Sequence, residues 1–166
     1  MLPSVQHWNG YAITSVADLP ERLRRNGRPE DQDFLPAERL FRRYRREDYL
    51  DNQFSGLGFA FPKQSVNREK YSDPTDVLFS GTDEFDGWGV LYFTVQDLPP
   101  RFPVDAATYS FYPKHVPEEE MYPHSEVWCD SLPPTGNYVE PTSKSIRKLF
   151  RAFISQRVRV EIEATV

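Results

Sequence analysis

Residues 141–166 read Pro-Thr-Ser-Lys-Ser-Ile-Arg-Lys-Leu-Phe-Arg-Ala-Phe-Ile-Ser-Gln-Arg-Val-Arg-Val-Glu-Ile-Glu-Ala-Thr-Val, and two periodicities meet inside them. Ile146, Leu149, Phe150, Phe153 and Ile154 fall at i, i+3, i+4, i+7 and i+8, which lines one face of an amphipathic helix. Thr142 or Ser143 can cap it after Pro141. Val158, Val160, Ile162, Ala164 and Val166 then alternate with Arg157, Arg159, Glu161, Glu163 and Thr165, the pattern of a half-buried strand with one wet face. A helix that passes straight into a strand, after several strands separated by prolines, predicts an α+β fold with a mostly antiparallel sheet.

Working back from this stretch, Gly89-Val90-Leu91-Tyr92-Phe93-Thr94-Val95 is the central strand candidate, hydrophobic enough to be buried on both faces. Residues 108–112 and 125–129 read as further strands, with Pro99, Pro100, Pro113, Pro117, Pro123, Pro133 and Pro134 at the joints. Gly56-Leu57-Gly58-Phe59-Ala60-Phe61 is another strand candidate, stopped by Pro62. Asp73 followed by Pro74 and Asp76 starts a short helix, which Gly81 should end. A second short helix is expected around residues 18–27, and residues 28–36 read as a polar loop. Residues 37–50 read as a helix on positions 40, 41 and 44, although Leu40-Phe41-Arg42 could also open a strand.

The length of 166 residues and the 39% hydrophobic content suit one domain spanning 1–166. Aromatics at 14% exclude a disordered chain, and no apolar run approaches the roughly 18 residues of a membrane helix. A single thiol, Cys129, and an opening without the order of a signal peptide lead us to expect a cytoplasmic protein. The net charge of −5 is a cancellation: residues 1–68 sum to +2, residues 69–140 to −11 and residues 141–166 to +4. Such blocks either neutralise one another in the fold or leave an acidic face for a cationic partner.

Three histidines limit the chemistry. His7 beside Trp8 reads as structural or exposed. His124 and Glu126 lie two apart, so a strand would project both from one face as a general acid/base pair. Zinc-deaminase chemistry needs two thiolates beside a His-x-Glu, and one cysteine cannot supply them. His-Glu-x-x-His, Gly-x-Ser-x-Gly and Gly-x-x-x-x-Gly-Lys are absent as well, so no metal and no cofactor is expected. Cys129 is five residues from His124, about 16 Å along a strand and on the opposite face, so it reads as a small buried hydrophobe. Arg39, Arg42, Arg43, Arg45 and Arg46 interleave with Phe41 and Tyr44 and could hold an anion or a partner. Their acidic flanks, Glu38, Glu47, Asp48 and Asp51, can absorb much of that charge, as can ion pairs with the acidic middle of the chain.

Arg39-Leu40-Phe41-Arg42-Arg43, Gly58-Phe59-Ala60-Phe61, Ser65-Val66-Asn67-Arg68-Glu69-Lys70-Tyr71 and Pro123-His124-Ser125-Glu126-Val127, taken together, resemble segments of a set of small bacterial proteins. Those carry a basic-aromatic strand, a strand ending in Phe, a Ser-Val-Asp-Arg-like turn and a later Pro-x-His. The resemblance covers about half the chain and implies a bacterial source and one compact domain. Asn67 stands where the resemblance would place Asp, and no catalytic residue is implied by it.

Three functions are expected on these grounds. The first is a partner-binding protein of accessory, immunity or antitoxin type, meeting a basic protein surface through Glu118, Glu119 and Glu120 and the aromatics around them. The second is a small hydrolase or transferase acting on a nucleotide-like anion, with His124 and Glu126 moving protons and the 39–46 arginines holding the anion. The third is a nucleic-acid module built on those arginines, disfavoured by the charge of −11 beside them.

Overall fold

The computed structural model describes residues 6–8, 11–79 and 85–165. The His7 side chain, the Gly81 stop and Val166 lie outside the described residues. Strands β1 (Gln6–Trp8) and β2 (Tyr11–Ile13) pair with each other, as do β4 (Tyr49–Leu50) and β5 (Gln53–Phe54). The main sheet comprises β3 (Arg39–Tyr44), β6 (Lys63–Arg68), β7 (Gly89–Thr94), β8 (Phe102–Val104), β9 (Ala107–His115), β10 (His124–Ser131) and β11 (Arg159–Ile162). Its order is β11-β7-β3-β6-β10-β9-β8, antiparallel at every pairing. With one α-helix among the described residues, α1 (Ile146–Ser155), this is a single curled, mostly antiparallel sheet with a C-terminal helix and terminal strand. It is richer in sheet than an ordinary α+β fold. Among the described residues no helix is long and apolar enough to cross a membrane.

Alternation along the strands sorts the side chains between two faces. Leu40, Tyr44, Val66, Leu91, Phe93, Phe111, Val127 and Cys129 line the face against which α1 packs. Phe150 is wholly buried there and stacks on Phe111, with ring centroids 3.7 Å apart and planes 7° from parallel. Only the 146–150–154 line of α1 is fully buried; Leu149, expected on the same stripe, is 48% exposed. It sits on the flank that the sheet does not reach. Ser145, rather than Thr142 or Ser143, occupies the helix N-cap. Ser143 instead donates to Asp105 and accepts from the Ser145 amide.

The opposite face carries Phe41, Val90 and Val77, the last from a short 3-10 helix, Pro74–Leu78, that begins after Asp73 as expected. Val90 on this side and Leu91 and Phe93 on the other bury β7 on both faces. Gly89 opens β7 because a Cβ there would lie 2.4 Å from the Tyr44 ring and 2.6 Å from the Ile162 carbonyl oxygen.

Two further expectations are overturned. Residues 37–50 are not a helix: Arg39–Tyr44 is a strand, followed by a 3-10 turn, Arg46–Asp48, and by β4. The apolar positions 40, 41 and 44 fit either period locally, and ladders to β6 and β7 decide for the strand. Phe41 consequently points away from Leu40 and Tyr44. Residues 56–61 are not a strand. Two amides go to side chains, Leu57 to the Ser155 hydroxyl at 2.9 Å and Ala60 to the Gln64 carboxamide oxygen at 2.8 Å, and the Phe59 amide goes back to the Leu57 carbonyl at 2.7 Å. Their carbonyls take Arg42 (to Gly58, 2.8 Å) and Arg151 (to Phe59, 3.1 Å), so no ladder forms.

Candidate functional site

A cleft of about 520 Å³ opens on the face away from α1. Its floor is one cross-strand row, Phe41 on β3 opposite Asn67 on β6 opposite His124 on β10, flanked by Arg43 and Ser65 two residues along. One wall is built by Val77 of the 3-10 helix, Phe79 just after it, and Phe85 and Trp88 ahead of β7. The other is the turn between β9 and β10, with Glu118, Glu120 and Met121. That turn is fixed by paired backbone bonds of 3.2 Å between Glu118 and Met121 and by the Arg25 amide, which donates to the Glu119 carbonyl at 3.0 Å. Glu118, Glu119 and Glu120 are therefore held exposed at its tip.

His124 reaches the cleft with its ring held from behind. Its Nδ1 lies 2.8 Å from the Val116 carbonyl oxygen, which can only accept, so Nδ1 carries the hydrogen. Nε2 of the neutral ring is then an acceptor, and it faces the Ser65 hydroxyl at 3.3 Å. The Glu118 carboxylate stands 3.6 Å from Nδ1. Glu126, expected to work beside His124, shares its face but points to other partners. It accepts from the Trp128 indole N–H at 3.1 Å and pairs with Lys63 at 3.5 Å, outside the cleft lining. His115 is wholly buried away from the cleft, accepting from the Asp31 amide at Nδ1 and donating from Nε2 to the Tyr122 carbonyl. Cys129 is buried among the core residues, and burial pushes its thiol up to about 12.

The basic run is divided. Arg39 pairs with Glu69 and Glu161, both at 2.9 Å, and Arg45 pairs with Glu47 and Asp48. Arg43 enters the cleft, donating to the Val77 carbonyl at 3.2 Å with its guanidinium 3.8 Å from the Phe85 ring centroid. Arg42 leaves on the opposite face, where burial pulls its guanidinium down to about 10, still cationic at neutral pH. Tyr44 is core, with its hydroxyl donating to the Ile162 carbonyl and accepting from the Ala164 amide. Arg46 is exposed beyond the strand. The five arginines thus share no single face.

The acidic middle is partly spent inside the fold. Asp76 is wholly buried and held bidentately by Arg22 at 2.9 and 3.0 Å; Glu69 meets Arg39, and Glu126 meets Lys63. Asp130 caps its own turn through Ser131, Thr135 and Gly136. The segments thus neutralise one another at these pairs, while Glu118, Glu119 and Glu120 remain exposed. Among the described residues no three His, Cys, Asp or Glu side chains gather as a metal ion would require.

Neither Ser65 nor Asn67 is read from the sequence as a functional residue. Lys63-Gln64-Ser65-Val66-Asn67-Arg68 has one aliphatic residue and does not read as a strand, and His124 lies 59 residues from Ser65 along the chain. The one signal present was the spacing of two between Ser65 and Asn67 inside a segment already marked by resemblance. Comparison of the chain with protein-family models, with curated proteins and with solved structures finds no match in any of the three.

Proposed function

We propose that this protein works by binding a basic segment of a protein partner in the cleft between β3, β6 and β10 and the 116–121 turn. The observation that carries this reading is the juxtaposition of exposed Glu118, Glu119 and Glu120 with a cleft walled by Phe79, Phe85, Trp88 and Met121. A lysine or arginine side chain needs both features. Its methylene stem lies against apolar surface, while its charged head reaches carboxylate or an aromatic face. The exposed carboxylates steer encounter and select against acidic partners, and the aromatic wall supplies the affinity.

The test is calorimetric titration of the full chain with a Lys/Arg-rich peptide and with a Glu-rich peptide of equal length. The reading requires selective binding of the basic peptide, weakened about tenfold or more by Glu119→Lys with Glu120→Lys and weakened by added salt. Equal binding of both peptides, or no response to the charge reversal, would refute it.

A further inference from the structure

We propose that Ser65 and His124 form a nucleophile–base pair on the cleft floor, competent for acyl transfer from a carboxylic ester to water. Three observations carry it. Ser65 is exposed in the cleft, with its hydroxyl 3.3 Å from Nε2 of a histidine whose tautomer leaves that nitrogen as an acceptor. The ring is oriented from behind by the Val116 carbonyl at 2.8 Å, with the Glu118 carboxylate 3.6 Å away to stabilise an imidazolium. A nucleophile, a base in contact with it and a third group fixing the base are the parts that activate a serine, and such contacts are commonly looser before substrate binds. Third, Asn67 sits directly across from His124 and two residues from Ser65 on the same face. Its Nδ2 is directed at the Met121 sulfur at 3.3 Å, a weak acceptor that a developing oxyanion would displace at little cost.

The chemistry balances within these groups and water. Ser65 Oγ adds to the acyl carbon while its proton passes to His124 Nε2, and Asn67 donates to the carbonyl oxygen as it becomes negative. The tetrahedral adduct collapses, and the departing alkoxide takes the proton from Nε2. Water then adds to the acyl–Ser65 ester, giving its proton to Nε2, and collapse returns that proton to Ser65 Oγ. One ester and one water become one acid and one alcohol.

The experiment treats the full chain with a fluorophosphonate, which phosphonylates activated serines, and locates the adduct by peptide mass mapping. Turnover of p-nitrophenyl butyrate is followed in parallel. A stoichiometric adduct on Ser65 is expected, absent in Ser65→Ala. His124→Gln, which keeps a donor for Val116, should slow both labelling and turnover by roughly 100-fold or more. Asn67→Ala should cut turnover by a similar factor while sparing the fold. Circular dichroism of each variant separates lost chemistry from lost structure, and a Ser65 or His124 variant that fails it is replaced by Ser65→Gly or His124→Asn. No adduct on Ser65, an adduct on another serine, or a labelling rate indifferent to His124 would overturn the proposal. Binding of the basic peptide does not depend on the Ser65 hydroxyl, so either reading can fail while the other stands.

Discussion

The guanidinium of Arg68, fully buried on β6, meets the buried Glu38 carboxylate through two hydrogen bonds of 2.9 and 3.0 Å. It also donates to the backbone carbonyls of Asp31 and Asp33 and lies 3.9 Å from the Phe34 ring centroid. One side chain therefore pins the polar loop before β3 onto the end of the central strand β6. Lys70 and Tyr71 extend the anchor through the Asp31 carboxylate, and those bonds hold that carboxyl below its usual range. The Ser65–Tyr71 segment thus sends Ser65 and Asn67 to the cleft and commits Arg68, Lys70 and Tyr71 to structure.

Removing one member of a buried pair leaves the other charge without compensation, which typically costs about 3–5 kcal/mol. Arg68→Met should fall in that range, because it strands Glu38 together with two carbonyl oxygens. Glu38→Gln should cost less, since Asp31 stays 3.6 Å from the guanidinium. Urea denaturation of the two variants measures the difference, and the reverse order would show that the anchor is misassigned.

Burial lowers the affinity of His115 for a proton, and its Nδ1 is already occupied as an acceptor. The unfolded chain therefore binds this proton more readily than the folded one, so stability rises with pH. His115 contributes fully above its unfolded pKa of about 6.5, and its contribution is lost as pH falls through that value. Urea midpoints should drop between pH 7 and pH 5, and His115→Gln should flatten that slope. A slope unchanged in the variant would place the titration elsewhere.

Cys129 is 1% exposed, and burial pushes its thiol up to about 12. The thiolate is the reactive form, so the native protein should not react measurably with a disulfide reagent at pH 8. One thiol per chain should react at once in concentrated urea. Rapid reaction of the native protein would mean that the sheet opens locally at β10.

Much of the architecture was legible from periodicity. The α1–β11 pattern, the doubly buried β7 and the strands β9 and β10 all lie where their hydrophobic spacing places them, because each meets a core on a predictable face. β6 was not legible. Besides Val66, its buried side chains are Gln64, Asn67 and Arg68, and buried polar side chains need hydrogen-bond partners. Gln64 takes the Ala60 amide four residues back, whereas the partners of Arg68 and Asn67, Glu38 and Met121, lie 30 and 54 residues away, outside any local window. The same holds for His124, whose neighbour in sequence, Glu126, turned to Trp128 and Lys63 while Ser65 came from another strand.

The sequence by itself determined the elements whose hydrophobic period is strong, the absence of a long apolar span, and the cancellation of charge that concentrates −11 in residues 69–140. Tertiary structure alone decided that 39–44 is a strand with the arginines of 39–46 divided among its faces and the turn beyond, which carboxylates are neutralised, and that Ser65, Asn67 and His124 share a floor. The physical reason is common to all three. Hydrophobic burial obeys a local period, whereas hydrogen bonds and ion pairs are settled by which strands the sheet sets side by side.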